Sequence, residues 1–214
     1  MERQEQSENK LADLSAMLSE AIESPEFHTQ DTVGQVQALI DKSAEAFGLS
    51  PDSIPDQKSD KQWGGYLTIR FDQHGAEKLL FVRPVPLGIP STWDWSGEYA
   101  TAIERRTGEK GVALSLQRHT DDRTEDWHVL HGRGCYLTSE DPESPLDHLE
   151  VTQIGGNREL HVGHDGHTWH TVVNPDPNDF LIIHEIIESA GDFREEAIER
   201  HSDLFSRAGR SDNV

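Results

Sequence analysis

Cysteine is almost missing: Cys135 is the one thiol in 214 residues. A lone cysteine forms no intrachain disulfide and no Cys-based zinc motif, and within a strand it reads as a small buried apolar residue. Long apolar runs are missing too. No stretch approaches the roughly 18 residues that cross a bilayer, so no membrane association is expected. The opening MERQEQSENK lacks the apolar centre of a signal peptide. The expected compartment is therefore cytoplasmic. Positive charge is scarce: 19 Lys and Arg face 40 Asp and Glu, for a net charge of -21. No basic cluster exceeds Arg105-Arg106, so binding of nucleic acid through a basic face is not expected.

What is abundant is carboxylate, spread along the whole chain rather than gathered in a tail. Such a surface repels itself at ordinary ionic strength. At about 1 M salt the Debye length shrinks to roughly 3 Å and the repulsion fades. With Arg outnumbering Lys and a mean hydropathy of -0.69, the composition fits a halophilic, salt-adapted interior.

Periodicity divides the chain. Leu11, Leu14, Leu18 and Ile22 recur at helical spacing up to Pro25. Thr32 with Gln35 suggests a capping box for a second helix, striped by Val33, Val36, Ile40, Ala44 and Phe47 and stopped by Gly48. Residues 49–62 read as a linker. From Tyr66 the period becomes two. Strands are expected near 66–71, 78–83, 99–106, 112–119, 127–131, 136–138, 149–154, 158–163 and 168–173, with acidic loops at 121–126 and 139–147. Beyond Asp176-Pro177, a helix is expected from the wide apolar face of Phe180, Ile182, Ile183, Ile186, Ile187 and Ala190, continued by Phe193 to Phe205. The fold class is α+β: an antiparallel β-meander of about 7–8 strands with N-terminal helices and a C-terminal helix packed on the sheet. The expected organisation is an N-terminal helical segment over 1–50, an α+β domain over 63–208 and a disordered tail over 209–214.

The most specific motif is HVGHDGHTWH, residues 161–170. Asp165-Gly166 is a strong two-residue hairpin signal. A turn there sets His164 opposite His167 and His161 opposite His170, and the pleat sends the two pairs to opposite faces. A closed four-histidine site is therefore not expected unless the loop is wider than two residues. His161 and His170 with same-face Glu159 remain candidate metal ligands. His184 and Glu188, four apart on the expected helix, form a second candidate pair.

Other chemistry is sparse. Gly155-Gly156 precedes a strand, not a helix, so no phosphate cradle is expected. The acidic loops lack calcium-loop spacing. Trp93 and Trp95 in a Pro-rich loop, with Trp63 nearby, are candidate partner-binding residues. With no complete nucleophile or acid–base constellation written in the chain, the leading expectation is a non-enzymatic protein-interaction or scaffold module with a protein partner. The alternatives are a metal-binding protein or metal-dependent enzyme built on the His161–His170 hairpin, and a small-ligand carrier with a pocket between sheet and C-terminal helix. No cofactor is specified by the residues.

Overall fold

The structure, a computed structural model, describes residues 2–86, 96–156, 159–162, 168–194 and 197–202. Three helices come first: α1 (Glu2–Glu23), α2 (Pro25–His28) and α3 (Thr32–Phe47). The cap of α3 is Asp31, whose carboxylate accepts from Gly34 N at 2.8 Å, one residue before the expected Thr32. Gly48 ends α3 at φ 65°, the left-handed conformation that glycine adopts without strain. Leu14, Leu18 and Ile22 of α1 and Val36, Leu39 and Ile40 of α3 turn inward together.

Among the described residues, twelve strands follow: β1 (Gln57–Lys61), β2 (Gly64–Asp72), β3 (Gly75–Val82), β4 (Val112–Ala113), β5 (Leu116–His119), β6 (Arg123–His131), β7 (Arg133–Ser139), β8 (Glu150–Gly155), β9 (Glu159–Val162), β10 (Trp169–Asn174), β11 (Leu181–Ser189) and β12 (Ile198–Ser202). One helix, α4 (Glu98–Thr107), interrupts them. The first sheet runs β1-β2-β3-β11-β6-β9 and the second β12-β5-β10-β7-β8, with β4 paired to β10.

The pairings are nested. β7 pairs with β8, β6 with β9, β5 with β10 and β3 with β11, all antiparallel. Successive pairs fall alternately in the second and first sheets. A two-stranded ribbon wound on itself in this way is an eight-strand jelly roll, two sheets closed over a common interior. The α+β antiparallel class is therefore correct, and the simple meander is replaced by a wound ribbon.

Between the sheets lie Leu80, Val82, Trp127, Val129, Tyr136, Val172, Leu181 and Ile183. The helices cover the outer face of the first sheet, where Leu67, Leu79, Phe81, Leu130, Phe180 and Ile182 meet their apolar stripes. Each large side chain buried there contributes on the order of 1.5–3 kcal/mol. Helix α4 closes on the second sheet through Tyr99, whose hydroxyl donates to Leu114 O at 2.7 Å and lies 3.0 Å from Thr171 Oγ1.

Several expectations are corrected. Residues 98–107, expected to hold a strand, form α4: Tyr99, Ala102 and Ile103 are buried at helical spacing and Gly108 caps the end at φ 81°. The expected linker contains β1. The C-terminal helix does not form. Residues 181–189 are the strand β11 between β3 and β6, and the chain continues as β12. A strand buried on both faces carries apolar residues without alternation. Ile182 points to the helices while Leu181 and Ile183 point to the interior, which mimics a wide helical face. Asp176 makes a turn instead of a helix cap, accepting from Asn178 N at 2.9 Å. The 209–214 tail lies outside the described residues, of which no helix is long and apolar enough to cross a membrane.

Candidate metal centre

Strand alternation decides what enters the interior. From Arg123 to Val129 burial alternates on β6: Arg123, Glu125, Trp127 and Val129 are buried, Thr124 is exposed, and Asp126 and His128 are half-buried, while buried Leu130 belongs to the face under the helices. On the second sheet, His170 of β10 and His119 of β5 approach the same point. His119 Nε2 stands 2.8 Å from Glu125 Oε1, His170 Nε2 stands 3.7 Å from Glu125 Oε2, and the two imidazole Nε2 atoms are 3.2 Å apart. One donor atom from each residue falls within 4.8 Å of the others. All three residues are between 1% and 3% exposed.

The surroundings are aromatic. His170 lies 6.1 Å from the Trp127 ring and 6.5 Å from Tyr136, and Trp127 and Tyr136 meet edge to face at 5.5 Å. The Trp127 indole donates to Glu185 Oε1 at 3.1 Å. At the next inward position of β6, fully buried Arg123 donates Nε and Nη2 to the two oxygens of Asp121 at 2.7 and 2.8 Å. Its Nη2 also reaches Arg194 O at 2.6 Å, and its guanidinium lies 4.7 Å over the Phe193 ring. That end of the interior is closed by the segment following β11.

The electrostatics follow from this packing. Burial alone would raise the Glu125 pKa. The hydrogen bond from His119 and the charges of His119, His170 and Arg123 outweigh it and hold the carboxyl down, at about 2. Glu125 is therefore an anion deep inside the protein. The Tyr136 hydroxyl is pushed well above the usual tyrosine range, first by burial and then by the charge of Glu125.

The expected hairpin ladder is not the one formed. β9 pairs with β6 in the first sheet, whereas β10 belongs to the second. His161 is opposite Asp126 and Glu159 opposite His128, while His170 is opposite Thr138 and Gln117. The sequence treated the two strands as each other's partners, but the winding of the ribbon separates them. His164, His167 and the Asp165-Gly166 turn lie outside the described residues. Of the expected ligands, His170 stands in the cluster.

His184 and Glu188 are not helical neighbours. On a strand, four residues span about 13 Å. His184 is buried beneath the helices, with Nε2 2.8 Å from Glu77 Oε1, and Glu188 is exposed opposite Gly75 and Thr124. Of the candidate partner-binding tryptophans, Trp93 and Trp95 lie outside the described residues, and Trp63 is half-buried against the core. Cys135 is buried, and burial pushes its thiol pKa up.

Sequence reasoning missed His119 and Glu125. His119 ends the strand expected over 112–119, which the structure divides into β4 and β5, and the sequence reading gives it no role. Glu125 was assigned to an acidic loop, and alternation of Arg123, Glu125, Trp127 and Val129 was the signal that could have recovered it.

No protein-family model matches the sequence, and no curated protein matches it. Among solved structures, the chain is similar to the capsular polysaccharide assembling protein CapF from Staphylococcus aureus, with a TM-score of 0.46 and 12% identity over 78% of this chain and 39% of that one. The chain thus spans about two fifths of the CapF length. It is also similar to a cupin-2 domain from Rhodospirillum rubrum, with a TM-score of 0.42 and 12% identity over 69% and 76% of the two chains. A third likeness is to the Schizosaccharomyces pombe Cnp3 cupin domain, with a TM-score of 0.40 and 7% identity over 66% and 73%. The nested strand order, not these likenesses, defines the architecture.

Proposed function

We propose that this chain is a metal-binding jelly-roll protein whose ligands include His119, Glu125 and His170. The observation that carries the reading is the state of the Glu125 carboxylate. It is 1% exposed, and its Oε2 meets no hydrogen-bond donor among the described residues, with His170 Nε2 at 3.7 Å. A buried charged oxygen left in this way is costly. A cation shared with two imidazoles offsets that cost. The donor set fits: two imidazoles and one carboxylate suit a divalent first-row metal, zinc or ferrous iron above all. When bound, such a metal supplies Lewis acidity or, for iron, redox chemistry.

The chain's own residues do the rest. Glu125 brings the negative charge. Trp127 and Tyr136 shield the His170 imidazole, and the Arg123–Asp121 pair closes the nearby end of the interior. The sequence-based preference for a non-enzymatic scaffold gains no support from this interior, which favours the metal-binding alternative.

The test is elemental analysis of untagged protein, with thermal melts before and after chelation and zinc or iron reloading. Near one equivalent of metal, lost in the His119→Ala/His170→Ala variant, is expected. Wild-type protein that takes up no metal on reloading, with a melting midpoint indifferent to added metal, would reduce the cluster to an internal polar network.

A further inference from the structure

We infer that Gln117 is a fourth, displaceable donor of the same centre, an inference that rests on the metal-binding reading above. Gln117 is the residue directly opposite His170 across the β5–β10 pair. Opposed residues of an antiparallel pair project to the same face, with Cβ atoms about 4.5–5.5 Å apart. The neighbouring residues fix which face that is. The Arg118 guanidinium lies 4.6 Å over the Trp169 ring and bonds Glu199, away from the cluster. Their immediate neighbours, Gln117 and His170, therefore project to the interior. His119, two residues along β5 from Gln117, faces the same interior and bonds Glu125.

Gln117 thus shares the interior face with the convergent donors: Gln117 and His119 from β5 and His170 from β10, with Glu125 coming from the opposite sheet. It differs from the others in burial, being half-buried where they are closed off. Its place is on the more accessible side of the cluster. Its other neighbour across the strands, Arg200, is an exposed cation and cannot ligate. Across the other edge of β10 the residue opposite His170 is Thr138, on the side away from His119. Thr138 offers only a short hydroxyl.

The chemistry of a carboxamide suits a labile position. Its oxygen is a neutral donor, so the set keeps the single negative charge of Glu125. Three firm ligands and one weak neutral oxygen make a centre that stays loaded yet can exchange one position for water or an incoming oxygen ligand. Catalytic zinc sites keep such a position open.

The experiment uses the full chain loaded with Co2+, read by chelator competition and by the intensity of its visible absorption, which reports coordination number. Gln117→Ala should weaken Co2+ binding by about 10–100-fold, the range typical of residues supporting a metal site, and alter the visible bands. Gln117→Glu, which adds a charged oxygen at the same reach, should tighten it. Thr138→Val should change neither readout. The inference is overturned if both Gln117 variants keep wild-type affinity and spectrum while His119→Ala abolishes binding, or if Thr138→Val produces the change instead. Failure of the wild-type protein to take up Co2+ removes the metal-binding reading itself, and this inference with it.

Discussion

The two faces of the first sheet each bury a histidine against a glutamate at 2.8 Å: His119 with Glu125 on the inner face and His184 with Glu77 on the outer. Both imidazoles are nearly inaccessible, and both carboxyls are held below the usual glutamate range. The difference is in what surrounds the carboxylate. The Glu77 side chain is 25% exposed and faces one histidine, with Phe47 stacked on that ring at 6.4 Å. Glu125 is sealed, faces two imidazoles and leaves an oxygen without a hydrogen-bond donor among the described residues. A half-solvated pair needs nothing further and serves as a clamp between helices and sheet. A sealed carboxylate with two imidazoles and an unmet oxygen has the makings of a ligand set.

Removing one carboxylate at a time should separate these roles most sharply. Glu125→Gln strips the inner cluster of its charge while leaving two buried imidazoles. Breaking a buried ion pair from one side costs about 3–5 kcal/mol, so the denaturant midpoint should fall steeply. Bound metal should fall from near one equivalent to none. Glu77→Gln should cost only about 1–2 kcal/mol, since the remaining amide still reaches His184 and water covers the rest. Its metal content should match wild type. Equal metal loss in both variants would dissolve the distinction between the faces.

Acid offers a gentler way to address the outer pair. The His184 hydrogen bond depresses the Glu77 pKa against the opposing effect of burial, helped by the charges of His184, Arg70 and Lys10. A depressed folded-state pKa means that the stabilisation is fully present above the unfolded glutamate value. It is lost as pH falls through the folded value, so its window lies below about pH 4.3. Wild-type stability should therefore decline in that window more steeply than that of Glu77→Gln. Parallel acid limbs would show that the pair contributes no pH-dependent stability.

The same contrast explains what the sequence could disclose. The helices α1 and α3 were legible from their one-sided apolar stripes, bounded by Pro25 and Gly48, although the cap of α3 is Asp31 and not the Thr32 read from the sequence. The stretch of β6 from Trp127 was legible as a strand, although its alternation of buried and open residues starts earlier, at Arg123. β11 was not, because helices cover one of its faces and the opposite sheet the other. Burial on both sides erases the period that distinguishes strand from helix. The buried histidine–glutamate cluster was hidden by topology. His119, Glu125 and His170 are drawn together by the winding of paired strands, while His161 and His170, the ends of the conspicuous histidine motif, lie on strands in different sheets. Of that motif, His170 stands in the interior.

The smallest expected effect lies at the helical edge of the outer face. Ser15 donates to the Leu130 carbonyl, and one turn later Ser19 meets His131 Nδ1 at 2.9 Å, with His131 Nε2 2.8 Å from Asp179 Oδ1. Serine, histidine and aspartate in line have the atoms of a nucleophile, a base and its orienting acid. Ser19, however, sits within α1, where its own amide N–H belongs to the helix and cannot serve an oxyanion. The chain of bonds is instead a latch holding α1 to the end of β6. Ser19→Ala should cost about 0.5–1.5 kcal/mol and speed amide exchange in α1 selectively, leaving exchange in β6 and β11 and the metal content untouched. Exchange accelerated equally in the helix and the barrel would mean that the two layers unfold as one unit, and that the outer face does not hold its helices independently of the interior.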